Sequence, residues 1–304
     1  MRTDGLGEYS SFGERHPAVT TVYFALVIGI TMFSGSPLFL LLSFLWGFAY
    51  EVILKGKKSV RGTLILAGVI LLMSGLINMF FTHNGSTVLF YMGTNRVTLE
   101  ALLYGWYMAL MIIAVIVWFS CCGVIQTSDK LIYIFGRFAP VLGLTVSMIF
   151  RFIPLLRHRF SEIEAGQKAM GRGELTRPVK RLRQFAKEVS ILISWSLEAS
   201  IESADSMAAR GYGLKGRTSF HLFRFEKRDL FLLLLVLAAS AAAAGGLIAG
   251  AFRFYFYPEI RPVAPALSPV VKAGSLACFV LLLSIPAAID LLGEYQWKRS
   301  GSQI

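Results

Sequence analysis

Hydrophobic residues along the chain are grouped into blocks of about 20 separated by short polar stretches, the length at which an α-helix crosses the hydrocarbon core of a bilayer. The first block, Ala18 to Phe33, stops at Ser34-Gly35-Ser36-Pro37 and resumes from Leu38 to Leu54, which predicts two spans joined by a tight turn, a helical hairpin. A third runs from Thr63 to Phe81. A polar loop with His83, Asn84, Gly85, Asn95 and Arg96 then leads into a fourth, Ala101 to about Cys122. Two more spans, Leu230 to Ala251 and Val270 to Leu292, flank a loop holding Pro258, Pro262, Pro265 and Pro269.

Between Gly123 and Arg228 the pattern changes, because no stretch of ~20 residues is free of charge and apolar residues recur at helical spacing. Three helices are predicted there. Lys130 to about Phe150 is apolar enough to lie in or against the membrane, with Pro140 interrupting it. Arg151 to Met170 opens with Arg151-Phe152-Ile153-Pro154, which places Pro154 near a helix start. Gln184 to Ala209 is about 39 Å long at ~1.5 Å per residue, and Pro178 falls in the break before it. Its residues Phe185, Val189, Leu192, Ser196, Ala199, Ser203 and Met207 recur at three and four, a face suited to close helix crossing. The pattern therefore predicts an all-α integral membrane protein of about six transmembrane helices, with long amphipathic helices between spans four and five. Its segments are a four-span membrane domain (1–122), a cytoplasmic or interfacial segment (123–228) and a two-span membrane domain (229–304).

Composition agrees: of 304 residues 55% are hydrophobic and 16% charged, against roughly 25% charged in soluble domains. The net charge of +12 does not point to nucleic acid, since the cations sit between apolar blocks and form no free basic domain. The positive-inside rule explains them instead. Lys55, Lys57, Lys58 and Arg61 crowd the loop after span two without an acid, and the middle segment carries 18 Lys and Arg against 9 Asp and Glu. Both place the middle segment and both termini in the cytoplasm. The mixed-charge start (Arg2, Asp4, Glu8, Glu14, Arg15) lacks a small-x-small cleavage site after the first apolar block, so the N-terminus is expected to be retained. Cys121, Cys122 and Cys278 lie at or in apolar blocks without metal spacing and read as small hydrophobes. His83 and Asn84 are the candidates for a metal contact, although a lone loop His is ordinarily just polar, and no metal site is expected.

The constellation that carries function is a pair of helix ends. One reads Gly171-Arg172-Gly173, the other Ala209-Arg210-Gly211. A glycine after the last helical residue permits the left-handed cap, so each helix stops abruptly with an arginine at its tip. A guanidinium is a rigid, permanently charged fork suited to a carboxylate socket in a partner.

With these motifs the sequence resembles the transmembrane, or T, component of energy-coupling factor transporters, which includes the membrane subunit of cobalt and nickel importers. The resemblance covers nearly the whole chain: His16-Pro17, Arg151-Phe152-Ile153-Pro154-Leu155-Leu156, both Arg-Gly tips and the span after Arg228-Asp229. The family's mark is a pair of Ala-Arg-Gly motifs at the ends of two cytoplasmic coupling helices. Ala209-Arg210-Gly211 matches in full, whereas the first copy has Gly171 in place of alanine. The resemblance implies a prokaryotic plasma-membrane scaffold that docks two ABC-type ATPases, one per tip and not necessarily identical. These would be joined to a small substrate-binding membrane protein, the S component, for uptake of a vitamin or of cobalt or nickel. Docking residues would be Ala209, Arg210, Gly211, Gly171, Arg172 and Gly173, supported by Arg151 and Pro154. ATP and Mg²⁺ would be used by the partners, with no cofactor bound here and no catalysis.

The residues agree with a non-catalytic role. Gly213-Leu214-Lys215-Gly216-Arg217-Thr218 has the wrong spacing and order for a phosphate-binding loop, and no hydrolase or metalloprotease motif is present. The spans are nearly free of charge, and Glu51 lies close to a cytoplasmic end, so proton or sodium coupling is not expected. A conventional ABC permease that binds substrate itself is the rival reading, with Asn78 and scattered Ser and Thr as its polar groups in the spans. Arg157, His158 and Arg159 read as a solvated or headgroup-facing run, and Glu198, Glu202 and Asp205 as solubilising acids or partners for a neighbouring basic helix. The small-residue run Ala238 to Gly246 suits close packing, either within the chain or toward the substrate-binding partner.

Overall fold

A computed structural model describes residues 10–82, 84–92, 95–172, 178–212, 214, 223–252, 254–257, 261–262 and 268–301. The helices among them are α1 (Pro17–Phe33), α2 (Pro37–Lys55), α3 (Lys57–Phe81), α4 (Leu99–Ile125), α5 (Ser128–Phe138), α6 (Pro140–Gln167), α7 (Pro178–Ala209), α8 (Lys227–Ile248) and α9 (Pro269–Gly301). Two short antiparallel pairs, β1 (Val88–Met92) with β2 (Asn95–Thr98) and β3 (Phe254–Tyr255) with β4 (Arg261–Pro262), occupy loops in which the sequence pattern predicts no strand. Residues Met1–Ser128 with Phe223–Ile304 form one compact unit, and Asp129–Leu222 a second.

Among the described residues six helices are long and apolar enough to cross a membrane, as the pattern predicts, but the set differs. α1 has 17 residues, about 26 Å at ~1.5 Å per residue, the short limit for a span. In its place stands Val141–Gly171, assigned from the sequence to the amphipathic segment. Pro140 does not interrupt a helix but begins one: α5 ends at Phe138, Ala139 is extended, and Pro140 occupies the first turn of α6, where its missing N–H costs nothing. α6 then runs through the boundary expected at Phe150. Pro154 consequently lies inside the helix and not near its start, leaving the Phe150 carbonyl without its usual donor.

In the first unit α1 and α2 turn at Ser34–Ser36 as expected, yet touch one another little; both pack against α4. Trp118 of α4 explains the separation. Its fully buried ring meets Tyr23 and Phe24 of α1 edge-on at 6.2 and 6.4 Å, and its Nε1 donates to Ser43 Oγ of α2 at 2.9 Å. Gly47 lets that ring close on α2, since a Cβ there would lie 3.0 Å from Nε1. The small-residue run on α8 packs within the chain on one face: Ala239, Ser240, Ala243 and Gly246 are buried, and Gly246 faces Ser275 of α9 too closely for a side chain. Ala238, Ala241 and Ala242 remain exposed.

Acids are buried at the span ends, contrary to the charge-poor reading of the spans. Asp290 of α9, 2% exposed, accepts from Ser10 Oγ at 2.8 Å, Phe12 N at 2.7 Å and Tyr50 Oη at 3.0 Å. One carboxylate thus ties the N-terminal segment and α2 to α9. Glu51 of α2 is likewise buried, its oxygens accepting from Ser120 of α4 at 2.6 Å and Thr63 of α3 at 3.0 Å, with Lys55 hydrogen-bonded to Ser120 beside it. Asp290 and Glu51 thus have both oxygens engaged in holding helices, the condition under which a buried carboxylate is tolerated.

Candidate functional site

The second unit is built around a hairpin of α6 and α7. Its contacts run in opposite directions along the two helices. Gln184 Nε2 donates to Gln167 Oε1 at 3.1 Å, Phe160 meets Phe185 edge-on at 5.9 Å, and the Arg159 guanidinium lies 5.0 Å from the Trp195 ring centre. On α7 the inward face is Gln184, Glu188, Val189, Leu192, Trp195, Ser196, Ala199, Ser203 and Met207. It matches the predicted stripe except at its start, where Phe185 is 52% exposed and Glu188 only 7%. The phase shifts there because Gln184 also donates to Glu188 Oε1 at 3.0 Å, giving the acid a partner inside the hairpin. The signal in the sequence was a Gln and a Glu four residues apart, which stack on one helical face.

The tip of α7 is a fully formed helix stop. Tyr212 N donates to Met207 O at 3.1 Å and Gly211 N to Ala208 O at 3.0 Å, with Gly211 at φ +74°; this is the Schellman arrangement, which closes the last orphan carbonyls. Arg210 is the residue before the left-handed glycine. It is exposed, as is Ala209, and no ion pair among the described residues holds it.

The other tip is built differently. α6 ends at Gln167 and passes into a π-helical turn, Lys168–Arg172, in which Met170 leaves helical geometry and Gly171 takes φ +74°. Among the described residues of this tip the left-handed one is Gly171, before the arginine; the expected pattern has it after, at Gly173. That accounts for glycine at the position where an alanine would complete the motif, because a Cβ is disfavoured at positive φ. Arg172 ends the described turn, its side chain and Gly173 lying outside the described residues, as does His83.

Arg151 and Pro154 are exposed on α6. The fold does not bring them to the first tip: Pro154 precedes Gln167 by about 20 Å along the helix. The two tips themselves are held apart. From Gln184, which touches the end of α6, to Ala209 at the far end of α7 is about 38 Å at ~1.5 Å per residue. α7 is also polarised along its length, with Lys180, Arg181, Arg183 and Lys187 exposed in its first part and Glu198, Glu202 and Asp205 exposed toward its C-terminus; Lys180 and Arg181, in the first turn, oppose the helix dipole. Arg157, His158 and Arg159 are exposed, and Arg159 also donates to Glu162 at 2.8 Å.

Among the described residues, six helices long and apolar enough to cross a membrane, in a chain that is helical almost throughout, define an all-α, multi-pass integral membrane protein. No family model matches the chain. It is similar to the energy-coupling factor transporter transmembrane protein EcfT of Streptococcus equi subsp. equi, 30% identical over 210 residues that cover 62% of this chain and 72% of that protein. It is likewise similar to the protein of the same name from Streptococcus thermophilus, 29% identical over 175 residues covering 53% of this chain and 65% of the relative. The chain belongs to the family of energy-coupling factor transporter transmembrane proteins.

Proposed function

We propose that this chain is the non-catalytic scaffold of an importer, joining two cytosolic ABC-type ATPases, one at each helix tip, to a small membrane subunit that binds a vitamin or a transition-metal ion. The observation that carries this reading is the separation of two glycine-stopped, arginine-bearing tips by one long helix. Two levers at opposite ends of one hairpin suit two motor domains that must be held in one assembly, and a guanidinium at each tip offers a bidentate contact to a carboxylate socket. The ATPases use ATP and Mg²⁺. The excess of Lys and Arg in the loop after α2 and in the middle segment supports a cytoplasmic position for both tips and both termini. Outward apolar residues on α7, among them Val179, Leu182, Ile193, Leu197 and Ile201, are exposed in the chain alone, which supports a covering partner or lipid in the assembly.

The test is affinity purification of tagged protein from its host with Arg210→Ala, Arg172→Ala and the double variant. The expected result is loss of co-purified ATPase and of uptake, with membrane insertion intact. Normal assembly and uptake by the double variant would refute the docking role.

A further inference from the structure

In the first unit, where the N-terminal segment meets α8 and α9, Arg15, Lys227, Arg228, Phe231, Leu232 and Ile289 line an open cavity of about 420 Å³. That is within the ~300–1,000 Å³ of ordinary small-ligand sites. Its lining divides by chemistry into three permanent cations and three apolar side chains.

The convergence of the cations is built in. Asp290 holds Ser10 and Phe12 to α9, and the His16 ring meets Phe225 edge-on at 4.9 Å, so Arg15 lies on a segment fixed on both sides. Lys227 and Arg228 occupy the first turn of α8, where positive charge opposes the helix dipole. The nearest acids in sequence are Glu14, Glu226 and Asp229, and none of them lines the cavity: Glu14 is exposed beside Arg15, and Glu226 and Asp229 form a reciprocal capping box with the helix backbone. Among the described residues no ion pair engages Arg15, Lys227 or Arg228. Three cations gathered without a counter-ion, two of them against a dipole, call for an external anion.

The apolar half says what kind. Phe231, 69% exposed, Leu232 and Ile289 continue from the cations along α8 and α9, both apolar enough to span the membrane. A soluble anion would leave that wall wet, whereas an amphiphile with an anionic head and hydrocarbon tails satisfies both halves.

We propose that this cavity binds an anionic phospholipid, its phosphate on Arg15, Lys227 and Arg228 and its acyl chains along Phe231, Leu232 and Ile289. None of these residues belongs to the α6–α7 hairpin, so the site stands or falls independently of ATPase docking.

Native mass spectrometry of the full chain in detergent, offered phosphatidylglycerol and phosphatidylcholine of matched acyl chains, tests it. Retention of phosphatidylglycerol should exceed that of phosphatidylcholine by at least about tenfold in the wild type, from the attraction of several cations for one anionic head. The variant Arg15→Gln/Lys227→Gln/Arg228→Gln should fall to near parity. A control that removes equal charge from α7, Lys180→Gln/Arg181→Gln/Arg183→Gln, should keep the preference. Glycerol phosphate, the soluble headgroup alone, should fail to displace the lipid. The site is refuted if the wild type shows no preference, if the cavity variant keeps it, if the control loses as much, or if glycerol phosphate competes as well as the lipid. Should the triple variant not fold, Arg15→Gln and Lys227→Gln made singly should each reduce the preference, and single variants that keep it in full refute the site.

Discussion

Gly171 and Gly211 share φ +74° but stand on opposite sides of their arginines, and this sets what substitution does at each tip. Gly171→Ala restores the Ala-Arg-Gly pattern in sequence while placing a Cβ at a left-handed position, at a cost of about 1–2 kcal/mol to the turn. Gly211→Ala carries the same backbone cost and meets Leu214 Cδ1 at 3.1 Å, so it should be the worse of the two. Hydrogen exchange at each helix end measures this: protection should fall at Tyr212 in Gly211→Ala, and unchanged protection would show that the glycine is not what stops the helix. The sequence exposes both Arg-Gly pairs but not which glycine of Gly171-Arg172-Gly173 turns left-handed, because either is sterically free to do so. Asp290 was illegible for a different reason. A single acid near the end of an apolar block reads as an interfacial charge, and its partners Ser10 and Tyr50 are 280 and 240 residues away. Asp290→Ala strands three buried donors, each worth about 1–3 kcal/mol when left unpaired. It should lower the thermal midpoint in detergent and open Arg15 to trypsin, and wild-type trypsin resistance in the variant would contradict the tie.

Helices were the most legible level, through the lengths of their apolar blocks, and the misreadings share a cause. Charge and proline read as breaks in a sequence, but Arg151, Arg157 and Arg159 project from a continuous α6, and its two prolines sit where the helix begins or tolerates a lost bond. α7 starts at Pro178, a favourable first residue, six residues before the Gln184 that the pattern predicts, because Lys180, Arg181 and Arg183 obscure the apolar period. Those cations, with Glu198, Glu202 and Asp205 toward the other end, polarise α7 along its length. A misplaced charge in a terminal turn costs a helix about 0.3–1 kcal/mol, which applies to Lys180 and Arg181, so a role outside the helix is a reason to keep those two. Exchanging the sets, with Lys180→Glu/Arg181→Glu and Glu202→Lys/Asp205→Lys, should raise hydrogen-exchange protection at both ends of α7 yet weaken co-purification of the ATPases. Stronger helix ends with undiminished assembly would show that the polarity has no part in docking.

For the molecule as a whole, coupling by two tips is a matter of distance, and α7 sets the distance. Its 32 residues form the rod, while Gln167, Phe160 and Arg159 of α6 meet it at Gln184, Phe185 and Trp195. Deleting residues 190–196 removes seven residues, close to two helical turns, so the inward face is nearly kept in phase: Ala199 and Ser203 take the places of Leu192 and Ser196. The far tip, meanwhile, moves toward the near one by about 10 Å. Contacts at the Gln184 end and the Gly211 stop survive, so each tip remains a competent docking site by itself. If the two ATPases must be engaged together at a fixed spacing, the shortened chain should insert normally and still capture an ATPase at one tip. It should lose the complex with both and lose uptake; blue-native electrophoresis separates the two assemblies. A shortened chain that carries both ATPases and imports at the wild-type rate would mean that the tips act independently and that the length of α7 is incidental.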